Sequence, residues 1–193
     1  KLLLAVQESC LAAGAGDDDA FRPLAETYYD VRAGIGFNKS PQVYGAFPTD
    51  PYSHTPGFAG ARQPGMTGQV KEEIITRLGE LGVSVRDGRL TFSPLLLRRS
   101  EFLDKSEPFD YYDVDGQLQT LELDAGTLAF TYCQVPVIYR LSEEPRITLH
   151  WADGTSRMLE GLVLDEASSR EIFRRSGEIR RLEVSLTPGL SGS

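Results

Sequence analysis

Asp50 and His54 stand four residues apart in the run TDPYSHTP and are the pair best suited to chemistry in this chain. Asp50 is the only carboxylate between Gly36 and Met66, and His54 is one of two histidines in 193 residues. Asp50-Pro51 and Thr55-Pro56 restrict the backbone on both sides, because proline pushes the preceding residue towards extended conformation. A carboxylate held near an imidazole suits proton transfer, anion binding or hydrogen bonding to sugar hydroxyls. The same residues also suit an architectural use, with an Asx-turn at Asp50 and a histidine tying the loop to its own backbone.

The segment that must position them runs from Gly36 to Met66. It holds five of the chain's 11 prolines and five of its 19 glycines, so neither a long helix nor a central strand can cross it. It also carries Phe37, Tyr44, Phe47, Tyr52 and Phe58, which a solvated linker does not need. Its only formal charges are Lys39, Asp50 and Arg62. Long, stiff, aromatic loops in compact domains are usually functional, so this one is expected to wall a binding site.

Other candidates are weaker. Gln63–Gln69 opens a helix whose N-terminal N–H groups favour anions, but it lacks the strand and GxxxxGK[ST] run of a P-loop. Glu72 and Glu73 are adjacent on that helix and diverge, which fits first-turn dipole partners. The acidic stretch from Asp104 to Asp115, with Tyr111 and Tyr112, suits either a sugar grip or a solvated connection. His150 beside Trp151 reads as a packed or edge histidine. No Gly-x-Ser-x-Gly elbow or Cys/His dyad occurs. Cys10 and Cys133 read as small buried side chains, and with two histidines they match no metal spacing, so neither metal nor cofactor is expected.

Up to about Gly82 the pattern is helical. Leu3, Val6, Cys10 and Ala13 recur at helical spacing from the first residues, so an N-terminal portion is expected to precede Lys1. Phe21, Leu24, Tyr28 and Val31 form a second stripe after Asp17–Asp19, with Gly34 and Gly36 as stops. Met66, Val70, Ile74, Leu78 and Leu81 form a third, with Gly82 at C′. From Val83 the period becomes two, and Asp87-Gly88, Asp115-Gly116 and Asp153-Gly154 signal hairpin turns. Leu128–Tyr139 reads as one interior strand interrupted at Pro136, and a short helix is expected from Ser168, capped with Glu171 and stopped at Gly177. The expected organisation is α+β: a helical part over 1–82, an antiparallel β-sandwich-like domain of seven to nine strands over 83–188, and a disordered tail at 189–193.

With a formal net charge of -8 and no basic run, nucleic acid is not an expected partner. No apolar stretch approaches the roughly 20 residues of a membrane span, so no membrane partner is expected either.

Taken together, the helical hairpin, the Gly/Pro/aromatic loop, the helix TGQVKEEIITRLGELGV and the phrase DGRLTFSPLLL ahead of a β domain are similar to the C-terminal end of (α/α)6-barrel sugar-processing enzymes. These are the cellobiose phosphorylase-like proteins and related bacterial glycoside hydrolases. Asp87, Gly88, Leu90, Phe92 and Pro94 match the family's D-G-L-x-(I/F)-x-P phrase, with Arg89 inserted. The resemblance implies a glycosidase or phosphorylase acting on an oligosaccharide or polysaccharide, with Thr67 and Gly68 near phosphate or sugar and QVKEE departing from the usual pattern. It places the general acid on a segment preceding Lys1, so this chain is expected to be inactive without its N-terminal barrel or a partner chain. Asn38, Tyr44, Tyr52 and Gln63 would contact sugar, since aromatic faces stack on pyranose rings and amides pair with hydroxyls. Cleavage requires two carboxyl groups across the bond, and the loop offers Asp50 alone. A non-catalytic carbohydrate-binding module and a structural subunit are the alternatives.

Overall fold

The computed structural model describes residues 21–32 and 74–187 and divides the chain into two units, Lys1–Glu80 and Leu81–Ser193. Its described part is α+β, with few helices and mostly antiparallel strands.

In the first unit, helix α1 spans Phe21–Arg32, with Pro23 in the first turn, where its missing N–H costs nothing. Tyr28 of the expected stripe is buried, as is Ala25. Helix α2 covers residues 74–80. Here the expected stripe is corrected: Ile74 is 58% exposed, whereas Glu80 is 1% exposed. A buried carboxylate requires partners, and Tyr28 Oη donates to Glu80 Oε1 at 2.6 Å while Arg77 Nη1 donates to Oε2 at 3.0 Å.

The second unit contains nine strands among the described residues, in three sheets. Strands β1 (Val83–Arg86) and β2 (Arg89–Phe92) form a hairpin whose turn is Asp87-Gly88, both left-handed at φ 48° and 72°. This is the geometry that makes Asp-Gly a hairpin signal. Strands β3 (Glu107–Tyr112) and β4 (Leu118–Leu123) form a second hairpin. The third sheet has the order β5-β6-β9-β7-β8, with β5 Thr127–Tyr132, β6 Val135–Leu141, β7 Arg146–Trp151, β8 Ser156–Glu160 and β9 Ile179–Leu186. Strands β6 and β9 run parallel, which corrects the expectation of a wholly antiparallel domain.

The expected single strand over Leu128–Tyr139 is a hairpin. Cys133 and Gln134 form its two-residue turn at φ 49° and 67°. Pro136 lies within β6, and the ladder to β9 begins one residue later, at Val137↔Leu182, so its absent N–H breaks no bond on that side.

Helix α3 spans Glu166–Arg174, a turn's length earlier than Ser168 would place it. Its N-cap is Asp165, whose carboxylate accepts from the Ser168 N–H at 2.7 Å, so Ser168 and Glu171 form no capping box. The chain leaves the helix through Arg175 in the left-handed region, with Gly177 following at φ 79°.

The core lies on one face of the five-stranded sheet. Val137, Tyr139, Ile147, Leu149, Leu182 and Val184 meet Leu90 and Phe92 of β2, Leu97, and Ile172 of α3. Leu90, Phe92 and Pro94 of the family-like phrase are all buried, so in this unit they serve packing. The Ser169 hydroxyl accepts from the Leu90 N–H at 3.0 Å, and Tyr139 Oη donates to the Leu81 carbonyl at 2.6 Å.

Candidate functional site

The sequence-derived site residues Asn38, Tyr44, Asp50, Tyr52, His54, Gln63, Thr67 and Gly68 lie outside the described residues, as do Glu72, Glu73, Cys10 and the tail at 189–193. What the described residues bring together is a polar cleft of about 270 Å³ in the second unit. Its walls come from the tip of the β3–β4 hairpin, the β5–β6 turn and the connection from α3 into β9.

Asp113 supplies the first wall. Its Oδ1 accepts from the backbone N–H groups of Asp115 and Gln117 at 3.0 and 2.9 Å, and its Oδ2 accepts from Gln119 Nε2 at 2.8 Å. These bonds, the Gln117 N–H foremost, hold its carboxyl below the usual range despite some desolvation, and Arg180 adds a smaller pull. Asp115-Gly116 thus lies within a five-residue loop, closed by Gly116 N–H to Asp113 O and Asp113 N–H to Gln117 O, both at 3.0 Å. Asp153-Gly154 repeats the same scheme between β7 and β8, with Gly154 N–H to Trp151 O and Trp151 N–H to Thr155 O.

Gln134 supplies the second wall. Its Nε2 donates to the Asp113 carbonyl at 2.8 Å, pinning the hairpin tip to the β5–β6 turn. Two non-glycine residues with positive φ cost roughly 1–2 kcal/mol each, and such strain concentrates where a side chain must be aimed. Cys133 beside it is a free thiol packed against the core, half-buried where the sequence suggested a buried side chain.

Arg180 supplies the third wall. His150 pairs with Arg181 and Trp151 with Ile179, so Arg180 is the extra residue of a β-bulge. Bulges redirect side chains next to binding sites. The apolar positions 179, 182, 184 and 186 carry this signal in the sequence as a phase slip of one residue. The Arg180 guanidinium makes no hydrogen bond or ion pair with any described residue.

Tyr111 closes the cleft, its ring stacked on Phe109 at 5.9 Å. Burial raises its phenol above the usual value and Asp113 raises it further, against the opposing charges of Arg180 and Arg181. Thus the acidic stretch with Tyr111 is ordered as a hairpin wall, whereas Tyr112 points away and is 63% exposed.

Next to this cleft, Glu183 Oε1 is shared by Arg181 Nη2 at 3.0 Å and His150 Nε2 at 3.2 Å. The His150 contact is off the line of a hydrogen bond, and both His150 Nε2 and Arg181 Nε are sealed from solvent without one. His150 is therefore packed within an interior strand, in the company of a carboxylate.

A second, larger cleft of about 710 Å³ lies between the segment around Arg99–Asp104 and the β5–β6 strands. Its Arg140 is already paired with Asp124 at 3.1 Å. Among the described residues no cluster of three or more His, Cys, Asp or Glu is placed to hold a metal ion. No protein-family model and no curated protein matches the chain.

Proposed function

We propose that this chain is the C-terminal portion of a carbohydrate-active enzyme that cleaves glycosidic bonds of a glucan or oligosaccharide, by hydrolysis or phosphorolysis. In this reading the helical part completes an (α/α)6 barrel, and the loop over 36–66 lines the sugar site with Asp50 and His54. Asn38, Tyr44, Tyr52, Gln63, Thr67 and Gly68 contact substrate, and the second carboxyl group comes from the N-terminal barrel. The β unit contributes a saccharide contact of its own. The observation that carries the saccharide reading is the lining of the 270 Å³ cleft: a phenol, two amides and a guanidinium line it beside a carboxylate held by three hydrogen bonds. Sugars are recognised by that combination of an aromatic wall and fixed polar groups.

Two measurements test this. In the complete enzyme, Asp50→Ala is expected to lower kcat by roughly 10²-fold or more on a β-glucoside panel. Activity kept within threefold removes Asp50 from the chemistry. In the 193-residue chain, oligosaccharides are expected to raise the melting temperature.

A non-catalytic carbohydrate-binding role is the second reading, favoured because every wall of the cleft belongs to the β unit. A thermal shift abolished by Tyr111→Ala but not by Tyr52→Ala, with no Asp50 dependence of cleavage, selects it.

A further inference from the structure

We propose that the cleft beside Arg180 binds the carboxylate of an acidic sugar, a hexuronate unit of an oligosaccharide. The proposal rests on the saccharide reading above and narrows it to one chemical class.

The polar atoms still available in the cleft select the ligand. Asp113 has most of its acceptor capacity committed, since its two oxygens already accept three hydrogen bonds of the roughly four a carboxylate can take. Gln119 and Gln134 have each committed an amide nitrogen, to Asp113 Oδ2 and to the Asp113 carbonyl. Their carbonyl oxygens make no hydrogen bond with described residues, nor does Tyr111 Oη. What faces a ligand is therefore two amide acceptors, one phenol and the whole donor set of the Arg180 guanidinium. Amide carbonyls and a phenol suit ring hydroxyls. A guanidinium with unpaired donors suits a planar carboxylate, which it grips through two parallel N–H···O bonds.

Two further observations favour an anionic group. The bulge places Arg180 out of the strand alternation and at the cleft wall, where a regular strand would put the residue after Ile179 in step with the ladder. Arg174, the last residue of α3, and Arg175 at its C-cap are both exposed and without ion pairs among the described residues, so they add positive charge to the approach to Arg180 in a chain of net charge -8. Glu178 and the cleft's own Asp113 carboxylate offset two of these three charges. Arg180 is the one cationic side chain lining the 270 Å³ space, which matches the single charge of one carboxylate on one sugar ring.

The test is isothermal titration of the 193-residue chain with glucuronate, galacturonate, glucose, glucose 1-phosphate and inorganic phosphate. A uronate is expected to bind at least about tenfold more tightly than glucose, and Arg180→Gln to remove that preference. Because the Arg180 side chain is exposed and unpartnered, this variant is expected to keep its far-ultraviolet circular dichroism and its melting temperature. Gln119→Ala weakens uronate and glucose alike if ring hydroxyls sit on the amides. Equal binding of glucose and uronate, or a uronate preference that survives Arg180→Gln, overturns the proposal. Phosphate or glucose 1-phosphate binding as tightly as uronate, with the same Arg180 dependence, overturns it in favour of a phosphorylated ligand. Glucose binding as tightly as uronate sinks this inference and leaves the saccharide reading standing. Absence of any saccharide binding sinks both.

Discussion

Asp113, Asp153 and Asp165 each hold a turn or helix end by accepting local hydrogen bonds, and each has a carboxyl lowered from its ordinary value of 3.8. Thr155, through its hydroxyl and its N–H, is the cause at Asp153. At Asp165 partial burial is the largest single influence and works upwards. Ser168, through its N–H and hydroxyl, and Arg157 together outweigh it. A carboxyl whose folded value lies below its unfolded one contributes stability that is complete above the unfolded value and is lost as pH falls through the folded value. The melting temperature is therefore expected to be flat from neutrality down to about pH 5 and to drop below pH 4, and Asp165→Asn to flatten that drop. Thermal melts across pH 2–7 decide it, and a decline that sets in above pH 5 contradicts this assignment. Gly82 gives a second prediction at this scale. It sits at φ 69°, and a Cβ there would lie 2.1 Å from the Ser93 carbonyl carbon and 2.2 Å from the Pro94 nitrogen, both backbone atoms that cannot swing aside. Gly82→Ala is expected to destabilise by about 3–5 kcal/mol, or to leave the chain insoluble. Gly88→Ala, with the same sign of φ but open space around it, should cost about 1–2 kcal/mol by urea unfolding.

Between elements, α3 and β2 are joined by core packing and, among the described residues, by a buried hydrogen bond. The Leu90 N–H, on a residue with no exposure, points at the Ser169 hydroxyl, which in turn donates to the Asp165 carbonyl at 2.8 Å. Ser169→Ala strands that N–H away from water, so a loss of about 1–3 kcal/mol in urea unfolding is expected, whereas an exposed serine such as Ser156 should cost almost nothing. Elements with a strong local cause were legible in the sequence. All three Asp-Gly pairs turn where left-handed backbone was called for, and β7 and β9 show the alternation read from Ile147, Leu149, Leu182, Val184 and Leu186. The Cys133-Gln134 turn was not legible, because neither residue announces a positive φ. The hairpin holds it there through pairing from Thr127↔Arg140 to Tyr132↔Val135 and through the Gln134 tether. The helix starts about a turn before the Ser168 cap expected from the sequence because the Asp165 carboxylate accepts a free first-turn N–H more strongly than a hydroxyl does. The parallel β6–β9 pair and the cleft leave no local pattern, since both arise from which distant strands meet. The acidic stretch with Tyr111 pointed to one cleft wall, and the one-residue slip in the apolar spacing before Leu182 is the sequence trace of another.

For the molecule as a whole, the core of the second unit is drawn entirely from Leu81 to Leu186. A fragment covering 81–193 is therefore expected to fold alone, with a single cooperative urea transition. Where that fragment begins is a sharper test than whether it folds. Leu81 is 3% exposed and belongs to the core, and its carbonyl accepts the Tyr139 hydroxyl at 2.6 Å from the middle of β6. The periodicity change at Val83 invites a cut two residues later, which would discard both the side chain and the acceptor. Burying a leucine contributes about 1.5–3 kcal/mol, and a buried hydrogen bond about 0.5–1.5 kcal/mol. A fragment starting at Val83 should therefore be less stable than one starting at Leu81 by about 2–4 kcal/mol. Adding Tyr139→Phe should cost the longer fragment measurable stability and the shorter one much less, because only the longer one retains the Leu81 carbonyl. Equal midpoints for the two fragments, or an equal cost of Tyr139→Phe in both, would show that the unit is closed without Leu81.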